Sequence, residues 1–276
     1  MNSRLFIEQG SLLSTSKVDQ QFRIATRLLF AIAVAGQLFF VYYIIAFYWG
    51  SALIADYESI NEQLGHGVIK GDTMGNAALA IHIFLAAIIT LGGPIQFLNP
   101  IRNRFPTFHR WNGRIYYVIA FVISCAGLYM NYSRGAHGGT SGMLGNALNA
   151  VLIMSFSVMA WRTAMQRDFR SHKKWAIRAF LMVSGVWFFR VGYGLWILLT
   201  GFTAPGTSAD LTGPFDRFLS FGHSLVPLLI LEGYFYAKAH PNPKVKRFAT
   251  GALGLLCLLL TGGIIMIAMI FWLPNL

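Results

Sequence analysis

Four histidines and one arginine stand where a side chain can do chemistry in apolar surroundings. His82 and His223 each fall about two helical turns inside a long apolar run, counted from the same side, while His109 and His172 each just precede such a run on the opposite side. Side chains on neighbouring helices meet only at shared depth, so the sequence offers an outer pair and an inner pair. A b-type haem takes two neutral imidazoles from opposite faces of its iron. His82 with His223, and His109 with His172, are therefore candidate metal ligands for haem b, and two such centres stacked across a bilayer would form a route for electrons. The competing reading is that a single histidine in a spanning helix bonds a neighbouring carbonyl or hydroxyl and holds nothing. His109 and His172 also stand near the interface, where a haem plane is poorly sheltered. His66, His137 and His240 sit beside glycine or proline and read as ordinary loop residues.

Arg190, in WFFRVGYGLW, lies some 16 residues beyond the start of its apolar run, or about 24 Å along a helix axis. An arginine at that depth is costly unless it pairs, snorkels or faces a wet cavity. Its level is within side-chain reach of His82 and His223, and no acid shares it. The expectation is an inward-facing guanidinium that holds a haem propionate, a quinone oxygen or a small anionic ligand, met by polar groups from the second or sixth span. The alternative is snorkelling past Tyr193 to the surface. Glu232, nine residues beyond His223, is a proton-handling group or the partner of a tyrosine or arginine.

Two clusters at helix boundaries share a layout. FHRWNGRIYY at 108–117 and SHKKWAIRAF at 171–180 each lead with histidine, continue with basic residues and tryptophan, and reach Arg114 or Arg178 five or six residues on. With Arg110 they are candidates for an anion site or a headgroup clamp. They serve equally well as topology signals.

The elements that must carry these residues follow from composition. Of 276 residues, 55% are hydrophobic and 12% are charged, about half the charge of a soluble domain, which excludes an ordinary soluble enzyme. The 28 glycines, 7 tryptophans and 11 tyrosines fit close-packed helices with aromatic belts. A net charge of +12 would suggest nucleic acid in a soluble protein, but the basic residues lie in short segments between apolar runs, as contact with anionic lipid requires. No nucleic-acid partner is expected. Seven runs at 26–49, 76–98, 112–132, 144–165, 174–200, 218–237 and 248–272 approach or exceed the roughly 20 residues needed to cross a bilayer. The predicted fold is all-α: a polytopic bundle of seven transmembrane helices over 26–273, preceded by a cytoplasmic segment, 1–25, in which a short interfacial helix is conceivable. The first run is too long for a signal peptide core.

Segments on the N-terminal side carry eighteen of the Lys and Arg residues and the opposite side carries Lys70, Arg134 and Arg217. The positive-inside rule then places the N-terminus in the cytoplasm and the C-terminus outside. The longest loop, 50–75, contains HGVIKGD, which is neither a phosphate loop nor a metal loop. Cys125 and Cys257 lie in apolar runs without paired spacing, so no disulfide or thiolate metal site is expected. No dinucleotide fingerprint, HExxH or nucleophile elbow is present, and no inverted repeat marks a typical secondary transporter.

The combination of GGPIQF at 92–97, HRWNGRIYY at 109–117 and HKKWAIRAF at 172–180, followed by Arg190, resembles the bacterial family of predicted integral membrane proteins called domain of unknown function 2306. The resemblance spans roughly residues 76 to 237. Its motif residues correspond to His82, His109, His172, Arg110, Arg114, Arg178 and Arg190, with His223 a weaker match. It implies a multi-helix fold in the bacterial cytoplasmic (inner) membrane and no settled activity. The residues themselves point first to a haem-binding (b-type) transmembrane electron-transfer protein, quinone-linked and served by a redox partner or by other subunits of a membrane complex. The alternatives are a transporter or sensor of a small anionic ligand, and a structural subunit of a membrane complex. Whether any reaction is catalysed stays open.

Overall fold

The computed structural model describes residues 2–64 and 67–276, with side chains from Lys17 onward; His66 lies outside the described residues. Helix accounts for 84% of the chain, and no strand occurs among the described residues. Helix α1 (Asn2–Tyr43) runs through a π-helical segment, Ile44–Trp49, into α2 (Gly50–Leu53). It is continuous across residue 25, so the N-terminal segment is not set apart by a break. Next come α3 (Tyr57–Gln63), α4 (Thr73–Ile95), α5 (Asn99–Arg104), α6 (Pro106–Ser133), α7 (Gly139–Met165), α8 (Phe169–Val183) and α9 (Gly185–Leu199). The chain ends with α10 (Pro214–Ala239) and α11 (Pro243–Ile267), which passes into a second π-helical segment, Ala268–Trp272, and a single 3-10 turn.

Local sequence explains where these helices begin. Asp56, Asp72 and Asp168 accept the N–H of the residue three positions on, and Asn242 accepts that of Lys244. Such caps satisfy donors that the first turn leaves orphaned. Proline occupies the first turn of α5, α6, α10 and α11, where its missing N–H costs nothing.

Six helices are long and apolar enough to cross a membrane, and α8 with α9, bent by 60°, supplies a seventh as one broken span. All seven expected runs are helical. Helix α1 packs between α4 and α11; α4 lies on α6, α6 on α7, and α7 on both α8 and α10, while α9 closes the bundle against α10 and α11.

The break in the fifth span was not legible beforehand. It falls at Ser184–Gly185, leaving fifteen helical residues on each side. Backbone groups released at membrane depth must find partners inside the protein, and here side chains supply them. The Asn149 amide donates to Met182 O (3.1 Å) and to Ser224 Oγ (2.8 Å). Ser184 Oγ donates to Phe180 O (2.8 Å) and accepts from Gln37 Nε2 (2.9 Å). Gly185 is needed for this approach, since a Cβ there would stand 2.7 Å from Asn149 Nδ2.

At the end of the bundle away from the N-terminus, Arg134 ties the first long loop to α6. Its side chain is 3% exposed and donates to Asp72 through Nε (2.9 Å) and Nη2 (2.7 Å), to Gly67 O (2.7 Å) and to Asn76 Oδ1 (2.7 Å). The Gly75 N–H, then Arg134, hold the Asp72 carboxyl below the usual carboxylate range. A group lowered in the fold gives stability that is complete above its ordinary value, about 4, and is lost as pH falls through the lowered value. The thermal midpoint is therefore expected to drop on acidification below about pH 4, and Asp72→Asn to flatten that drop in a pH series of melting curves.

Candidate functional site

Arg190 sits on the second turn of α9, five residues past the break, or about 8 Å beyond it. Its guanidinium points into the bundle, over the rings of Phe40 (5.1 Å), Phe271 (5.8 Å) and Tyr43 (6.0 Å). Among the described residues it has no ion pair and no hydrogen bond, and Nη1 is buried without a partner. The convergent groups come from the first and last spans rather than from the second and sixth. Insertion of a lone guanidinium in the apolar layer costs about 2.5–3.5 kcal/mol, and a desolvated ring contact returns about 2 kcal/mol, here chiefly from Phe40, since Phe271 and Tyr43 stand near the outer limit of such contacts. The rings thus offset much of the charge penalty and leave the N–H groups unsatisfied.

The walls share that property. Trp187 Nε1 and Trp272 Nε1 are buried without partners, on side chains 2% and 0% exposed, and the Tyr43 and Tyr48 hydroxyls are buried with no partner other than each other. Trp272 lies 5.4 Å from Phe40 and 6.3 Å from Tyr43, ring centroid to ring centroid, and Tyr48 stands edge-on to Tyr43 at 5.7 Å. Each of these orphaned groups can donate a hydrogen bond. Gln37 Oε1, at the level of the break, is a buried acceptor without a partner. Both π-helical segments border this region, and such segments cluster at functional sites because they widen a helix locally. The site is held together by close backbone contact between α9 and α11: a Cβ on Gly194 would meet Gly263 O at 2.7 Å, and one on Gly263 would meet Val191 O at 2.7 Å.

The outer histidines serve separate interfaces. His82 Nδ1 donates to Ile123 O on α6 (3.0 Å), with Gly127 leaving room for the ring. His223 Nδ1 donates to Leu219 O of its own helix (3.1 Å), and its ring lies edge-on to Phe189 of α9. The inner pair does come together, since His109 lies within electrostatic reach of His172 and of Arg102. His172 Nδ1 donates to Ala160 O (2.9 Å), whereas His109 Nδ1 is buried without a partner. Among the described residues no three His, Cys, Asp or Glu side chains are placed to hold one metal ion.

The basic candidates divide by role. Arg178 pairs with Glu232 through Nε (2.8 Å) and Nη2 (2.6 Å) and stacks on Trp175 and Phe235. It locks α8 to α10, and Glu232 is thereby an arginine partner at the half-exposed rim. Arg114 lies over Trp111, and Arg110 reaches only Thr107 Oγ1 (3.3 Å); both are exposed.

The three motif stretches meet one another. Gly93 abuts Phe180 and Tyr116, Asn112 Nδ2 donates to Gly92 O (3.1 Å), Gln96 Nε2 to His109 O (3.3 Å), and Phe97 meets Phe180 edge-on at 5.2 Å. Residues 79–213, just under half of the chain, match a family model described as predicted membrane protein, DUF2306. Over that segment the chain is similar to DUF2306. No curated protein and no solved structure matches the chain. The three motif stretches thus pack α4, α6 and α8 together. Arg190 lies inside the DUF2306 segment, while Phe40, Tyr43, Phe271 and Trp272 come from the helices that flank it. Those aromatic partners were missed because a run of Phe and Tyr at helical spacing looks like any membrane core; the dense aromatic endings FFVYYIIAFYW and IFW were the available signal.

Proposed function

We propose that the protein is a membrane-embedded receptor or carrier for a flat ligand bearing an oxygen acceptor, a quinone headgroup or a small carboxylate, held by Arg190 in the half of the bilayer away from the basic face, with the basic face toward the cytoplasm. The observation that supports this is a buried cation walled by aromatic rings and ringed by unpaired N–H and O–H donors. An unmade buried hydrogen bond costs about 1–3 kcal/mol, and only an acceptor placed among these donors recovers it. Because Trp272 packs on Phe40 and Tyr43 and Trp187 belongs to the same buried cluster, a quinone bound beside Arg190 is expected to quench their emission. Titration of the detergent-solubilised protein with a short-chain benzoquinone, and separately with benzoate, is expected to give saturable quenching or competition that Arg190→Leu removes. Linear, non-saturating quenching equal in wild type and variant would overturn the reading.

A second reading, haem-mediated electron transfer, is favoured by one observation: His82 and His172 each spend Nδ1 on a main-chain carbonyl, which fixes the ring and leaves Nε2 for a metal, as ligating histidines do. The expected result is a b-type reduced-minus-oxidised spectrum in protein purified from haem-replete cells, altered by His82→Ala or His172→Ala. A colourless preparation disposes of it.

A further inference from the structure

A different cluster occupies the basic face. Arg102 from α5, His109 from α6, His172 and Lys173 from α8, and Lys238 from the last turn of α10 converge there. The helices that carry them are packed together, α5 on α6 and α8 on both α4 and α10, with the Arg178–Glu232 pair tying α8 to α10, and His109 lies within electrostatic reach of His172 and Arg102, as Lys173 does of Lys238 and Arg102. Arg102, Lys173 and Lys238 take part in none of the ion pairs among the described residues. Among the described side chains, the acids toward this face are occupied: Glu232 by Arg178, Asp19 by Lys246 (2.7 Å), and Asp168 by the first turn of α8. His109 Nδ1 is buried without a partner, and the half-buried His109 is anchored through its carbonyl by Gln96. Arg102 is steadied by Asn99 Oδ1 at 2.9 Å.

Topology alone asks for a count of cations on one face, not for their convergence. Four elements holding like charges together raise the local potential, which favours an anion there. The cluster lies at the first turns of α6 and α8, the level of lipid headgroups. We propose that Arg102, His109, His172, Lys173 and Lys238 form a phosphate site, in which the cationic side chains bind the oxygens and the idle His109 ring nitrogen adds a donor. The phosphate belongs to a phosphomonoester, carried either by a lipid headgroup of the phosphatidic acid kind or by a soluble molecule. This site is separate from that of Arg190 and stands whether or not the ligand proposed there is found.

The test uses the full chain in detergent. Native mass spectrometry after exposure to phosphatidic acid or phosphatidylcholine is expected to show retention of the first over the second. Arg102→Gln with Lys173→Gln is expected to weaken that retention about tenfold or more, and Lys238→Gln to weaken it less. Arg167→Gln with Arg170→Gln, which removes two charges from the same face outside the cluster, is expected to leave it unchanged. Thermal unfolding in millimolar inorganic phosphate against chloride of equal ionic strength separates the sources: stabilisation and displacement of the lipid identify a soluble phosphate, and no effect identifies a headgroup. Equal loss in both double variants, equal retention of the two lipids, or no binding of either probe overturns the site.

Discussion

Arg190→Leu is expected to produce a protein that binds its quinone or carboxylate probe about 10- to 100-fold more weakly, the range set by one lost charge-assisted hydrogen bond, and that is nevertheless more stable. The two effects share one cause. In the unliganded fold the guanidinium contacts Phe40, Tyr43 and Phe271 without an ion pair, so leucine removes an uncompensated charge and adds an apolar side chain to an aromatic wall. With an insertion penalty of about 3 kcal/mol set against ring contacts of about 2 kcal/mol in total, the net gain is about 1 kcal/mol. Binding sites are commonly places where stability is given up for function. Arg190→Lys keeps the charge but loses the flat face and the forked donors, and it is expected to weaken binding without the gain in stability. Melting curves and quinone titrations on the same three preparations decide the matter. A leucine variant that melts lower and still binds would make Arg190 a structural residue.

Gly194→Leu is expected to be the most damaging single change, at about 3 kcal/mol or more. Even the first carbon of the new side chain would meet Gly263 O at 2.7 Å and Ile267 N at 2.9 Å, backbone atoms that cannot rotate away. Helix α11 would have to withdraw from α9, carrying Phe271 and Trp272 off Arg190, so stability and probe binding should fail together. Gly251→Leu, at a glycine with nothing within 4 Å of its Cβ position, is the matched control and is expected to melt like wild type. If the two variants have the same midpoint, the close approach of α9 and α11 does not hold the site.

The seven spans were legible because their signal is local: about 20 apolar residues and basic flanks suffice to locate a membrane helix. The inward aim of Arg190 was legible for a related reason, since glycines at 192 and 194 marked one side of α9 as a packing face. Its neighbours were not. Hydropathy fixes depth but not the rotation of one helix against another, so His82 and His223 at equal depth appeared to be a pair, whereas one ring serves α6 and the other its own helix and α9. The break at Ser184–Gly185 escaped for the opposite reason. Its partners, Gln37, Asn149 and Ser224, lie 147, 33 and 75 positions from the atoms they bond or from each other, and no window around Ser184 contains them.

The same break bears on how the chain enters a bilayer. Fifteen residues of α9 cover about 22 Å, short of a hydrocarbon core about 30 Å thick, and α8 begins with FRSHKKWAIR, too basic to cross unaided. Neither half is a competent insertion unit. When the fifth span leaves the ribosome, Gln37 of α1 and Asn149 of α7 have already been made, but Ser224 of α10 has not. The two halves cross together, with Gln37 and Asn149 already in place for the break, and the hydrogen-bond network around it is complete only once Ser224 arrives on the sixth span.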